Sequence, residues 1–292
     1  DVESRGLGDV YKRQIIYKPF LFCFLNSYFF ENQCITNSKG IAQLNLSTEW
    51  LRDYEIPLYE YKSQVQIADK FHAINKLIGN RKRQLELLDM IVKSRFIEMF
   101  GDCVVNPKGW KTKPLEDIAE VGSSKRVFIE ELQKSGIPFY RGTEVGALAE
   151  GKQINPELFI TEEHYTELCK ATGAPQIGDL LMPSICPDGR IWVINTDKPF
   201  YFKDGRVLWV HAIDNSYNPV FLLHTLKNRI MTNYSSIASG TTFAELKIFA
   251  LKKCQIYDVP TALQNKFADY AEQTNKSKLA IQKSIEKLEI LK

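Results

Sequence analysis

Two stretches of the chain carry the apolar spacing of long helices, and neither can bury its stripe alone. The first stripe alternates by three and four through Phe71, Ile74, Ile78, Arg81, Leu85, Leu88, Val92, Arg95 and Met99. The second contains Phe267, Tyr270, Thr274, Ser277, Ile281, Ile285, Leu288 and Leu291. Heptad spacing of this kind favours helices that pack along a shared seam. The sequence therefore predicts two long helices, the first from about Lys62 to Met99, that pack antiparallel.

The segment before the first helix recurs before the second, about 200 residues later. Lys18-Pro19-Phe20-Leu21-Phe22 returns as Asn218-Pro219-Val220-Phe221-Leu222. Each copy continues through a short helix, a turn with serine and glycine, a strand closing on Ile56-Pro57 or Val259-Pro260, and a glutamine that opens the long helix, Gln64 or Gln264. Such a period is too long for a solenoid and indicates a duplicated domain.

Between the two helices the pattern changes to short β-type runs separated by Gly, Pro, Asn and Asp. The runs are Pro138–Tyr140, Leu180–Met182, Ile191–Ile194 and Arg206–Val210, and helices are predicted at Ile129–Lys134, Glu162–Lys170 and Pro219–Ser235. The predicted fold class is α+β, a globular domain flanked by two long helices that pack as an antiparallel coiled coil.

Several classes of protein are excluded by composition and spacing. The 6 cysteines lack zinc-finger spacing and are expected to be reduced thiols. Residues 15–30 look superficially like a signal peptide, but Lys18 and Pro19 interrupt a run that is too short to span a membrane. We therefore expect a cytoplasmic protein with no membrane segment. Residues 1–14 are polar and aperiodic, and we expect them to be a non-native or disordered leader.

A set of ordered motifs resembles the DNA-specificity subunit of type I restriction-modification systems. Its target-recognition domain is similar in pattern at Trp110-Lys111, Pro114–Ala119, Ser135–Gly142, Ile177–Met182 and Ser239–Leu246. Val259-Pro260 with Gln264, and Ile56-Pro57 with Gln64, look like the start of the family's helical regions. The order and duplication of the motifs carry the resemblance, which covers residues 15–292.

The resemblance implies a domain organisation and a function. The implied segments are a leader (1–14), the C-terminal remnant of a first target-recognition domain (15–60), a helical spacer (61–101), a complete target-recognition domain (102–260) and a second helical spacer (261–292). The chain would be a specificity subunit, truncated at the N-terminus, that reads a half-site in double-stranded DNA. It would dock a methyltransferase subunit and a restriction subunit, which would hold the catalytic sites. Self-association of two such chains stays open, and no cofactor is expected.

A specificity subunit of this kind would contact DNA through loops of the central domain. The formal net charge is only +3, so the placement of Lys and Arg matters more than their number. The candidates for phosphate or base contacts are Ser124, Lys125, Arg126, Arg141, Thr143, Arg190, Lys203, Arg206, Thr241 and Thr242. For each of them, an ordinary solvated side chain is the alternative.

The helical stripes supply a second group of candidate residues. Phe71, Ile74, Ile78, Arg81, Leu85, Leu88, Val92, Ile281, Ile285 and Leu288 are predicted to form the helix seam or a contact with a partner subunit. For Arg81 and Arg95, buried polar contacts, partner contacts and exposure of the guanidinium to solvent all stay open.

Two other functions compete with DNA recognition. The chain could be a coiled-coil scaffold for protein interactions that does not bind DNA. It could also be an endonuclease, because Glu245-Leu246-Lys247 has nuclease-like E-x-K spacing and Asp188 could supply a second acid. The long separation between these acids argues against cleavage. The dispersed histidines and the lack of a phosphate-binding loop argue against a metal site or ATP hydrolysis, so we expect no metal and no enzyme activity in this chain.

Overall fold

The computed structural model describes residues 15–40, 45–240 and 244–291. They divide into two compact units. Unit 1 contains the residues up to Leu87 and those from Lys278 onward, and unit 2 contains Leu88–Ser277. The predicted leader, residues 1–14, lies outside the described residues.

Unit 1 is helical in its described part. Helices α1 (Lys18–Leu25), α2 (Tyr28–Asn37) and α3 (Thr48–Asp53) precede α4 (Tyr61–Phe100), whose first part belongs to this unit. Phe20, Cys23 and Ala68 form a small buried cluster at α1 and α4. The strand predicted before Pro57 is wrong, since residues 54–60 form no strand. In the second copy the corresponding strand exists because another strand pairs with it.

Unit 2 is built around a four-stranded antiparallel sheet. Its strands lie in the order β2 (Glu120–Gly122), β8 (Val207–His211), β5 (Leu180–Pro183) and β6 (Trp192–Val193). The three-stranded sheet has β4 (Phe159–Ile160) antiparallel and β7 (Tyr201–Phe202) parallel to β3 (Ile137–Tyr140). β1 (Thr112–Pro114) pairs with β11 (Gln255–Tyr257), which closes the domain between its two long helices. The last pair is β9 (Ala238–Ser239) with β10 (Glu245–Leu246).

Both faces of the four-stranded sheet are covered, and side chains alternate between the two faces. Leu180 and Met182 of β5 face one apolar cluster, whereas Leu181 between them belongs to another. Burial on both faces explains why β5 and β8 read as continuous apolar runs rather than as alternating patterns.

Helices connect and cover these strands. They are α5 (Gly142–Ala149), α6 (Glu162–Thr172), α7 (Pro219–Ile237), α8 (Ile248–Lys252) and α9 (Thr261–Ile290). Thr161 and Asn218 cap α6 and α7 through their side-chain oxygens, as their positions before the helices favour. The predicted helix at Ile129–Lys134 is wrong, because only Ile129–Glu131 form a single 3-10 turn. Gln133 instead exchanges backbone hydrogen bonds with Phe159, which ends the turn.

The two long helices pack together, which confirms the predicted fold class. In unit 2, the rings of Phe96 and Phe100 in α4 contact Phe267 in α9, with centroids 5.3 and 5.7 Å apart. In unit 1, Lys82 Nζ lies 3.6 Å from Glu289 Oε1. The end of α4 therefore contacts the first part of α9, and an earlier position of α4 contacts the end of α9. This order of contacts makes the packing antiparallel.

The described cysteines are all free, and Cys23, Cys103, Cys186 and Cys254 are buried. Burial raises the pKa of the Cys186 thiol to about 12. Of the helices described, none is both long and apolar enough to cross a bilayer.

Candidate nucleic-acid interface

The loop after β2 is fastened to the turn between β7 and β8. Ser123 Oγ donates to the Val207 carbonyl over 2.7 Å and accepts from the Gly205 N–H over 2.8 Å. Ser124 Oγ donates to the Phe202 carbonyl over 2.6 Å. The hydroxyl hydrogen of Ser124 is therefore engaged in holding the loop, which lets Lys125 and Arg126 extend into solvent.

Beside this turn lies a cavity of about 560 Å³. Five residues predicted from the sequence to contact DNA line it: Arg141, Thr143, Arg190, Lys203 and Arg206. These residues come from three regions of the chain, namely the start of α5, the loop between β5 and β6 and the turn between β7 and β8, and the two sheets bring them together. The remaining wall is mostly apolar and includes Ile129, Leu132, Phe139, Leu158 and Ile185.

Arg126 and the three arginines of the cavity are each paired with a carboxylate of the same chain. Arg126 Nε lies 3.1 Å from Asp204 Oδ2, and Arg190 Nε lies 2.8 Å from Asp188 Oδ2. Arg206 forms an ion pair with Glu245.

Arg141 has the most extensive set of contacts. Its Nη2 atom lies 2.6 Å from Glu144 Oε1 and 3.2 Å from Glu157 Oε2, and its backbone N–H donates to Glu144 Oε2. Burial alone would raise the pKa of Glu144, but the hydrogen bonds from Arg141, with a smaller one from Thr143, lower it to about 2. This carboxylate is thus ionised at neutral pH and holds Arg141 at the start of α5.

The threonines differ in what the structure shows. The Thr143 hydroxyl donates to Glu144 Oε2 over 3.0 Å and lines the cavity. Thr241 and Thr242 lie outside the described residues, so their predicted role stays a prediction.

Basic side chains pair with both acids of the nuclease-like motif. Glu245 Oε1 faces Arg206, and Glu245 Oε2 lies 3.7 Å from Lys247 Nζ. Asp188 pairs with Arg190 rather than with this group. Across residues 15–40, 45–240 and 244–291, no cluster of three or more His, Cys, Asp or Glu side chains is placed to hold a metal ion.

Comparison with known families identifies the domain that carries this interface. The model of the family described as "Type I restriction modification DNA specificity domain" matches residues 107–290. The chain belongs to this family. The match covers β1 to β11 and the whole of α9, and it includes the cavity and its paired arginines.

A curated relative in this family is the Type I restriction enzyme MjaIX specificity subunit of Methanocaldococcus jannaschii. It is 25% identical over 291 residues, covering 90% of this chain. The chain spans 64% of that relative's length.

Two solved structures share the fold of this specificity-family chain. The S subunit of a type I restriction-modification system from M. genitalium matches with a TM-score of 0.55 at 14% identity, over 96% of this chain and 71% of that one. A chain from a structure of type I R-M system assembly and conformational transition matches with a TM-score of 0.57 at 18% identity, over 95% and 68%.

The predicted helix-seam residues have restricted exposure. Ile78, Val92 and Ile285 are buried, and the partly buried members are Phe71, Ile74, Arg81, Leu85, Leu88, Ile281 and Leu288. Arg95 lies over the Tyr270 ring at 5.7 Å and pairs with Glu98. The predicted role of these side chains in partner binding stays a prediction.

The carboxylate partners were missed by sequence reasoning. Glu144 follows Arg141, the residue immediately before α5, by three positions, a spacing that favours pairing. Asp188 is two residues before Arg190, and this proximity in the sequence also indicates an ion pair. No local signal connects Glu245 with Arg206, because 39 positions separate them and only the fold brings them together.

Proposed function

We propose that this chain recognises a short DNA sequence as the specificity subunit of a type I restriction-modification complex. The observation that carries the proposal is the convergence of Arg141, Arg190, Lys203 and Arg206 on one cavity within the matched domain. Basic side chains supplied by several loops suit a surface that follows phosphates and reaches base edges.

We further propose the boundaries of the functional segments. Residues 102–260 would form one complete target-recognition domain between helical spacers at 61–101 and 261–292. Residues 15–60 would be the end of another recognition domain. Gln64 and Gln264 accept equivalent hydrogen bonds from the backbone before a helix, which supports this duplication.

Catalysis in the proposed complex belongs to other subunits. A methyltransferase subunit would transfer a methyl group from S-adenosylmethionine to adenine, and a restriction subunit would cleave DNA. Since the complex would act on DNA inside the cell, we place it in the cytoplasm as part of the proposal. This chain would select where the reaction occurs and needs no cofactor for that role.

The outer face of α4 is the proposed docking surface for the methyltransferase subunit. Met90 and Ile97 are seven residues apart on one face and are 49% and 40% exposed. Exposed apolar side chains at this spacing suit an apolar helix or groove of a partner. The same observation favours the second candidate function, a protein-interaction scaffold without DNA binding.

One experiment separates the two functions. The purified chain, with and without its methyltransferase subunit, is incubated with a random DNA duplex pool at several salt concentrations. DNA recognition predicts enrichment of a short motif and an affinity that falls steeply as salt rises. Absence of enrichment in both conditions, together with an affinity independent of salt, would overturn DNA recognition in favour of the scaffold.

A further inference from the structure

The cations of the candidate interface fall into two chemical groups. Arg126, Arg141, Arg190 and Arg206 are each paired with a carboxylate. Lys125 and Lys203 take part in no ion pair within the part of the chain that the structure describes. The two groups are therefore suited to different contacts.

Pairing changes what an arginine can do for DNA. A neighbouring carboxylate offsets the positive charge at a distance and repels a phosphate, which weakens non-specific attraction. It also holds the planar guanidinium in one orientation and leaves several N–H donors free. A paired arginine is thus a better reader of base edges than an anchor for phosphates.

Arg206 and Glu245 form the pair best placed for such reading. Arg206 precedes β8 and lines the cavity, while Glu245 lies on β10. Their side chains are 61% and 30% exposed, so both remain open to a ligand. Side by side they present a fork of donors and a carboxylate acceptor.

This combination is complementary to one base pair. In the major groove, guanine presents the acceptors O6 and N7, and cytosine presents its N4 amino donor. Arginine donates to the former and glutamate accepts from the latter. We propose that Arg206 and Glu245 together read a G·C base pair, an inference that rests on the proposed DNA recognition.

The two side chains divide the task. Arg206 donates to guanine, and Glu245 both positions Arg206 and accepts from cytosine. An A·T pair places the adenine N6 amino donor against the arginine donors and the thymine O4 acceptor against the carboxylate. Both mismatches disfavour A·T.

The test begins with the motif that the full-length wild-type chain enriches from a random duplex pool. At each G·C position of that motif, affinity is compared between the G·C duplex and its A·T counterpart. We expect one position at which wild type prefers G·C by roughly 5- to 150-fold, the range for a good bidentate contact. Arg206→Ala should bring that ratio close to one, and Glu245→Gln, which removes the charged partner of Arg206, should lower it. Glu163→Gln, an exposed change on α6, should leave it unchanged.

A charge-swapped double variant separates base reading from a purely structural ion pair. Arg206→Glu with Glu245→Arg can form the ion pair again and should retain the wild-type melting temperature. It presents donor and acceptor in exchanged positions, so the G·C preference should not return. Recovery of the wild-type preference in this variant would overturn the base-reading role.

Further outcomes distinguish this inference from the proposed function. If wild type enriches a motif and both single variants keep its G·C ratio, base reading by this pair is wrong while DNA recognition stands. A motif without any G·C pair has the same meaning. If wild type enriches no motif, both proposals fail.

Discussion

Gln264 accepts a hydrogen bond from the backbone N–H of Asn218 through its side-chain oxygen, over 2.8 Å. Its side-chain nitrogen donates to the carbonyls of Ser216 and Val259. In unit 1, Gln64 makes the corresponding three bonds, from Tyr17 N–H and to the carbonyls of Ile15 and Tyr59. Both side chains are buried, at 0% and 1% exposure for Gln64 and Gln264. A buried amide that satisfies three backbone groups fastens a helix start to its own long helix in each copy.

Gln264→Ala should lower the free energy of unfolding by about 2–4 kcal/mol. The substitution leaves three backbone groups without their partner, and each unsatisfied buried group costs roughly 1–3 kcal/mol before water compensates. Chemical denaturation followed by circular dichroism measures the change. Gln273→Ala, an exposed position on the same helix, should change it by less than about 0.5 kcal/mol. Equal stability of both variants would contradict the fastening role.

Phe267→Ala should destabilise the junction of α4 and α9. Phe267 is fully buried and contacts the rings of Phe96 and Phe100, so its removal opens a cavity and should cost about 3–5 kcal/mol. Thermal and urea unfolding provide the measurement. Phe249→Ala removes the same ring where it is 69% exposed and serves as the control, with a much smaller loss expected. Similar losses in the two variants would show that the ring cluster does not stabilise the junction.

Glu144→Gln should give a pH-dependent loss of stability. The pKa of Glu144 in the folded chain is lowered from 4.5 to about 2, so ionisation stabilises the folded state above pH 4.5. As pH falls from 4.5 through 2, that contribution is lost because the folded chain must also bind a proton. Removing the charge-assisted hydrogen bonds should cost about 1–2 kcal/mol at pH 7, with the difference from wild type narrowing toward pH 2.

Urea unfolding at a series of pH values between 2 and 7 measures this dependence. The matched control is Glu157→Gln, whose side chain is 74% exposed and bonds Arg141 only at the surface. It should cost less than about 0.5 kcal/mol. A constant difference between Glu144→Gln and wild type across the series would contradict the assigned ion pair.

Two glycine substitutions should have opposite signs. Gly136 has φ +128° and a Cβ there would lie 2.5 Å from the Ile160 carbonyl oxygen, so Gly136→Ala should cost more than about 2 kcal/mol. Gly79 lies within α4 with no atom within 4 Å of the added Cβ, and Gly79→Ala should stabilise by about 0.5–1 kcal/mol. Melting temperatures of the two variants give the comparison. Destabilisation by Gly79→Ala would show that this face of α4 is occupied.

The candidate site was partly predictable from the sequence. Gly and Pro turns beside basic residues marked Arg141, Arg190, Lys203 and Arg206 as loop cations, and the cavity contains all four. The hydroxyl of Ser124 could not be assigned, because its acceptor, the Phe202 carbonyl, is 78 positions away. A serine beside a basic loop residue has the same local sequence whether its hydroxyl faces solvent or bonds to a neighbouring strand.

The sequence by itself determined the long helices, because their apolar residues recur with a local period, and the strands β3, β5 and β8, because each is a short β-type run between turn residues. It predicted the antiparallel packing because neither apolar stripe can be buried alone. It also determined the repeat that leads to the equivalent roles of Gln64 and Gln264. Only the tertiary structure decided that Gln133 pairs with Phe159 rather than continuing a helix, and that Glu245 meets Arg206. Both contacts join residues far apart in the chain, and their energy depends on where the sheets place them, which no local period records.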